Sequence, residues 1–164
     1  GAFQVGMSGL QSRGLIDVVK NFADSGRPIL GICLGAQIML NYGYEVGEHR
    51  GLGIISGSVE SFPKIDGVKI PHIGWDSISP PQFLKKNTWE QSILSSVSRG
   101  EEMYFVHSFI FKPDSEDSVL ALSSYGGYEF CAAIRKGNIY GFQFHPEKSG
   151  PAGLNIIRNF IEII

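Results

Sequence analysis

The chain has 164 residues, 43% hydrophobic and 18% charged. That length suits one domain with a substantial core, and the composition excludes a disordered, charge-rich tail. Fourteen Lys plus Arg stand against 16 Asp plus Glu, a formal net charge of −2. Nothing basic invites nucleic acid or an anionic membrane, and no apolar run reaches the ~20 residues of a membrane span. The 21 glycines point to tight turns and close backbone approaches rather than long helices.

Taken in chain order, Val5, Met7, Leu10, Leu15, Val18, Val19 and Phe22 recur at spacings of three and four. They predict one amphipathic helix over 4–25, weakened by Gly9 and Gly14 and ended by Ser25-Gly26. Residues 27–32 read as a short buried strand, and 34–42 resume helical spacing through Leu34, Ile38 and Met39. Short β-like runs follow at 53–59, 68–73, 103–107, 118–124, 130–134 and 139–144, separated by Gly, Pro, Asn and Asp. Lys136-Gly137-Asn138 suits a hairpin turn between the last two runs. A short helix is expected over 88–97. Leu154, Ile157, Phe160 and Ile161 predict a closing helix over 151–164. Without repeats or a linker, this is a single α/β domain, helices covering a sheet of parallel and antiparallel strands.

The chemistry begins at Gly31-Ile32-Cys33-Leu34-Gly35, a G-x-C-x-G turn between a strand and a helix. This has the form of a nucleophile elbow, with Cys in place of Ser. Side chains two residues either side of the nucleophile are expected to collide with neighbouring backbone, which explains both glycines. The amides of the following helix are expected to favour thiolate and hold an oxyanion. A buried structural cysteine beside two turn glycines is the plainer alternative for Cys33. Cys131, in an apolar run, reads as inert core, and both cysteines as free thiols of a reducing, cytoplasmic compartment.

A cysteine nucleophile needs a base, and His49, His72, His107 and His145 are the candidates. His145 follows a strand, and Glu147 lies two residues on, which in extended chain faces the same way. The carboxylate can then hold one ring nitrogen while the other serves the thiol, a Cys33–His145–Glu147 triad. Surface His-x-Glu pairs also arise by chance. Metal binding is disfavoured because no third and fourth ligands adjoin, so no metal and no cofactor are expected. His49 reads as a solvated loop residue, and His72 and His107 as structural.

Gly31–Gln37 (GICLGAQ) together with His145-Pro146-Glu147 resembles the class I, or triad, glutamine amidotransferases. Ile70–Trp75 (IPHIGW), Tyr104–Ser108 (YFVHS) and His145–Gly150 (HPEKSG) extend the likeness to the glutaminase subunits of imidazole glycerol phosphate synthase. The resemblance implies a flavodoxin-like three-layer fold with a mixed central sheet. It implies that glutamine forms a thioester on Cys33, with His145 moving the proton. Ammonia would then pass to a (β/α)₈ cyclase partner in histidine biosynthesis. By the same resemblance Gln37, Glu45, Ser108 and Phe109 contact substrate. Leu34 and Gly35 adjoin the oxyanion, and Gly1 matches the last glycine of a second oxyanion loop. Trp75, Tyr104 and Lys148 match residues near the partner interface, although core packing for Trp75 and a solvated Lys148 are the ordinary readings.

The family pattern has about fifty more residues before Gly1, including its first strands and part of the oxyanion hole, so the chain reads as truncated and, taken alone, is expected to be an incomplete catalyst that is unstable or aggregates. Asp76 stands where that pattern has Asn, Phe109 where Tyr is common, and Ser56-Gly57 where Pro-Gly is usual. These differences leave open a paralogue that supplies ammonia for surface-sugar modification. A non-catalytic partner-binding module and a different cysteine hydrolase on the same fold are further alternatives.

Overall fold

The computed structural model describes residues 2–83 and 89–164. Gly1 therefore lies outside the described residues, as does the start of the helix expected over 88–97. The described part, from Trp89 to Val97, forms a string of turns rather than a helix, each closed by an amide reaching the carbonyl three residues back: Ser92 to Trp89, Ser95 to Ser92 and Val97 to Leu94. Trp89 anchors this segment by donating its indole N–H to the Leu120 carbonyl at 2.7 Å.

The first 25 residues form two helices, α1 (Phe3–Ser12) and α2 (Ile16–Asp24), not one. Gly14 breaks them at φ +65°, a left-handed conformation open to glycine, and Leu15 turns its amide back to the Leu10 carbonyl. The expected apolar stripe is correspondingly only half used. Met7, Leu10 and Val19 pack on the core, while Val5 and Val18 are exposed.

Strand β1 (Ile29–Ile32) leads into α3 (Leu34–Gln37), a single turn where a helix over 34–42 was expected. The chain is then drawn into the sheet through β2 (Tyr42–Gly43) and β3 (His49–Arg50), because Asn41 donates its amide to the Gly57 carbonyl. There follow β4 (Gly57–Ser61), β5 (His72–Ser79), β6 (Glu102–His107), β7 (Phe109–Pro113), β8 (Val119–Tyr125), β9 (Tyr128–Lys136) and β10 (Ile139–Phe142). Helix α4 (Gly150–Glu162) closes the chain. The run expected at 68–73 starts late, at His72, and extends to Ser79. Strand β7 was not expected at all, since Phe109-Ile110-Phe111 shows no alternation: Ile110 enters one core cluster and Phe111 the other.

Among the described residues, ten strands form one mixed sheet. β1 pairs parallel with β10, and β2 with β4; β10–β9, β9–β8, β8–β5, β5–β6, β9–β7 and β7–β4 are antiparallel. Alternation along β10 sorts the layers. Tyr140 and Phe142 join Phe105, Phe144 and Ile156 of α4, whereas Ile139 joins Ala36, Met39 and Leu40 on the opposite face. The hairpin at Gly137 (φ +59°) pairs Lys136 with Ile139 as the sequence indicated.

Candidate active site

β1 and β10 are adjacent and parallel, with Ile32 opposite Phe142, so the chain leaves both strands at the same end of the sheet. Cys33 follows the first and His145 the second. This is where α/β sheets gather their sites. The Cys33 amide still donates to the Phe142 carbonyl at 2.7 Å, which ties the elbow to β10.

Cys33 adopts φ +51°, ψ −114°, a strained conformation for a residue with a Cβ. The turn is tight enough that a Cβ on Gly31 would lie 2.7 Å from the backbone of Gly35. Gly35 is different, since a Cβ there would meet nothing within 4 Å. The steric reason therefore holds for the first glycine and not the second. The expected helix-borne thiolate is also corrected. α3 is one turn long, and its Ala36 and Gln37 amides are consumed by the Cys33 carbonyl. Burial pushes the Cys33 thiol above its ordinary value, and only the Leu34 amide and the Gln143 side chain, among its hydrogen-bonding neighbours, pull it down. Such a thiol needs a base.

The candidate base is His145. Its amide donates to the Tyr104 carbonyl, and its own carbonyl accepts from the Ser149 hydroxyl at 2.6 Å. Nδ1 lies 2.7 Å from Glu147 Oε1. A carboxylate only accepts, so Nδ1 carries the hydrogen and Nε2 the lone pair. Nε2 is buried and has no hydrogen-bond partner among the described residues. The His-x-Glu pair is made by a 3₁₀ turn, Pro146–Lys148, rather than by extended chain. The Glu147 carboxylate lies close enough to raise the Cys33 thiol by its charge.

A cleft of about 260 Å³ opens beside the thiol, lined by Cys33, Gln37, Glu45, Pro71, Val106, His107, Ser108 and Phe109. All four side-chain contacts expected from 37, 45, 108 and 109 thus face one cavity. Two larger clefts, at Lys20–Asn138 and at Glu90–Ile163, do not include the cysteine.

Two of the lining residues carry more than was expected of them. Gln37 donates its amide to Gln143 Oε1 at 3.0 Å, and Gln143 Nε2 in turn reaches the thiol at 3.8 Å. Gln143 was not foreseen; its place two residues before His145 was the only signal. Glu45 Oε2 accepts the Phe3 amide at 2.7 Å, capping α1, whose Ala2 cap has no side-chain acceptor. His49 is not a solvated loop residue: it lies in β3, with Nε2 3.1 Å from the Glu45 carbonyl. Cys131 is core, its thiol pushed up to about 12 by burial.

The three residues expected at an interface also converge. Trp75 opposes Tyr104 across β5–β6, their rings 5.9 Å apart, and Lys148 Nζ lies 5.9 Å over the Tyr104 ring. Trp75 is 49% exposed, so core packing is not its role. Ile73, two residues away on the same face, is 58% exposed. No helix among the described residues is long and apolar enough to cross a membrane.

A family model described as glutamine amidotransferase class-I matches residues 6–164. The chain is 46% identical over 167 residues to imidazole glycerol phosphate synthase subunit HisH 1 of Legionella pneumophila (strain Lens), covering 99% of this chain and 78% of that one. It is 44% identical to the HisH subunit of Aquifex aeolicus, covering 98% and 72%. Among solved structures, a glutamine amidotransferase superposes with TM-score 0.64 at 20% identity over 94% of this chain and 70% of its own. A glutamine amidotransferase from Thermotoga maritima gives 0.56 at 16% identity, over 92% of this chain and 54% of its own. These last two speak for the three-layer fold. The chain belongs to the class I glutamine amidotransferases and, within them, to the family of the HisH subunit of imidazole glycerol phosphate synthase.

Proposed function

We propose that the chain is the glutaminase subunit of an imidazole glycerol phosphate synthase, with Cys33, His145 and Glu147 as its catalytic triad. In this reading the glutamine side chain enters the cleft beside Cys33. His145 Nε2 takes the thiol proton as Sγ attacks the amide carbon. The Leu34 amide donates to the developing oxyanion, with Gly35 alongside. His145 then returns the proton to the departing ammonia, leaving a glutamyl thioester that water hydrolyses to glutamate. Glu147 keeps the hydrogen on Nδ1 and stabilises the imidazolium. Gln143 and Gln37 hold the sulfur's polar surroundings, while Ser108 and Phe109 form the facing wall.

The observation that carries this reading is the buried Nε2 of a histidine, without a hydrogen-bond partner among the described residues, whose other nitrogen is held by a carboxylate at the same end of the sheet as a strained cysteine. An unsatisfied buried nitrogen costs about 1–3 kcal/mol and calls for a reason. A proton relay is one. For the partner, the HisH relatives are subunits by name. Trp75, Tyr104, Ile73 and Lys148 give this chain an exposed aromatic face with one cation, the composition of a docking centre. The reading is a cytoplasmic heterodimer with a cyclase that consumes the ammonia.

The test is glutamate release by the full-length protein, alone and with the cyclase carrying its nucleotide ligand. Strong stimulation, lost in Cys33→Ala, is the expected result. Equal turnover with and without the cyclase would remove the synthase assignment, and full turnover in Cys33→Ala would remove the triad.

A further inference from the structure

Behind the cleft, three side chains that the thioester chemistry does not use form a continuous line. His107 Nδ1 lies 2.8 Å from the Phe109 carbonyl oxygen, His107 Nε2 lies 2.9 Å from His72 Nδ1, and His72 Nε2 lies 2.7 Å from Asp76 Oδ2. His72 is fully buried, its ring stacked between those of Tyr125 at 4.0 Å and Phe105 at 5.0 Å. The two ends of the line, a carbonyl and a carboxylate, are acceptors. Three hydrogen bonds need three N–H protons, and two neutral imidazoles carry two. His107 must donate to Phe109, which leaves a lone pair on its Nε2. His72 must donate to that lone pair, which leaves its own Nε2 lone pair facing a carboxylate. The line closes only with one proton more.

We propose that Asp76, His72 and His107 hold that extra proton, with His72 as the imidazolium between an anion and a neutral ring, and that it fixes the Phe109 carbonyl and so positions the Ser108–Phe109 wall of the cleft. The three are positioning residues, and the proposal deepens and rests on the glutaminase reading of the cleft. Protonated, the trio carries no net charge. Deprotonated, it sets two acceptors 2.7 Å apart, and one bond of the line must break.

Burial takes the His72 imidazole below its ordinary value although the Asp76 carboxylate favours the cation, so the proton leaves on the acid side of the ordinary histidine range. The faces of Tyr125 and Phe105 also favour a cation. His107 is the ring that stays neutral, since burial takes it down to about 4, and the charges of His72 and His145 act in the same direction. From β8, Tyr125 is engaged elsewhere, donating its hydroxyl to the Lys69 carbonyl at 2.9 Å. From β9, Phe130 contributes an apolar ring edge.

Asp76→Asn gives the decisive variant. Its amide donates to His72 Nε2, so the line closes with neutral rings at every pH. The experiment uses the full-length protein with ¹⁵N-labelled histidine, and follows the ring nitrogens and the glutamine KM and kcat from about pH 5 to about pH 9. In the native protein both His72 nitrogens are protonated at the acid end. KM then rises about five- to tenfold as that proton leaves, the scale of one lost hydrogen bond. In Asp76→Asn, His72 Nε2 is unprotonated throughout and KM stays level, while the kcat profile is common to both. Native His72 Nε2 unprotonated across the whole range, or parallel KM profiles in the two proteins, overturns the proposal. The nitrogen signals report the proton whether or not glutamine is turned over, so failure of the glutaminase reading is seen separately, as absent glutamate release.

Discussion

Cys33 concentrates the tension between structure and chemistry. Its backbone is strained, its thiol is pushed up by burial, and the one-turn helix after it has few amides to spare. In the proposed triad, thiolate is therefore made on demand by His145 rather than stored. Alkylation of Cys33 is expected to be slower at neutral pH than that of an open thiol, and to speed up as pH rises past the ordinary thiol range. Glu147→Gln separates two roles of one carboxylate. Removing its charge lets the Cys33 thiol drop, so alkylation quickens. Losing its hold on Nδ1 costs turnover about 10²-fold or more. Both rates falling together would contradict this division. Cys33 and His145 were legible as candidates because a nucleophile and a base have rigid local requirements: a turn flanked by Gly31, and a histidine at a strand end. Gln143 and the capping of α1 by Glu45 were not, because each depends on a partner 110 and 42 residues away.

Among the elements, the elbow makes the sharpest contrast. Gly31→Ala forces a Cβ against Gly35 backbone 2.7 Å away and is expected to destabilise by about 1–3 kcal/mol. Gly35→Ala has open space and is expected to melt within about 0.5 kcal/mol of the native protein. Chemical denaturation of both variants checks this, and equal losses would show that the turn is not what limits Gly31. The same local logic explains which elements could be read in advance. β9, β10, the turn at Gly137 and α4 follow from short-range pattern. α1 and α2 were fused because apolar spacing continues across Gly14, and only its positive φ reveals the break. α3 was overextended because Ile38 and Met39 keep helical spacing while Asn41 is claimed by Gly57 in a strand far along the chain. β7 escaped because it is buried on both faces, and such a run has no period to detect.

At the scale of the whole molecule, one mixed sheet sends Cys33 and His145 out of paired strands, and the β5–β6 pair presents Trp75 and Tyr104 outward while His72 and His107 lie within. The Cys33 cleft and the aromatic face thus share strand β6. Trp75→Ala is expected to weaken cyclase binding about tenfold or more without moving the melting temperature, as befits a half-exposed anchor. Acid should unfold the protein through His107. Its folded value of about 4 lies below the ordinary 6.5, so the unfolded chain binds the proton first. Stability is full above the ordinary histidine range and falls by on the order of 3 kcal/mol as pH drops towards 4. Denaturant midpoints across that range check it.

The proposed chemistry turns on a glutamyl group carried by Cys33. The most direct measurement is mass analysis of the full-length protein quenched with acid during glutamine turnover. A glutamyl adduct on the Cys33 peptide is expected, and it disappears, together with glutamate release, in Cys33→Ala. Glutamate release at the native rate in Cys33→Ala would contradict it.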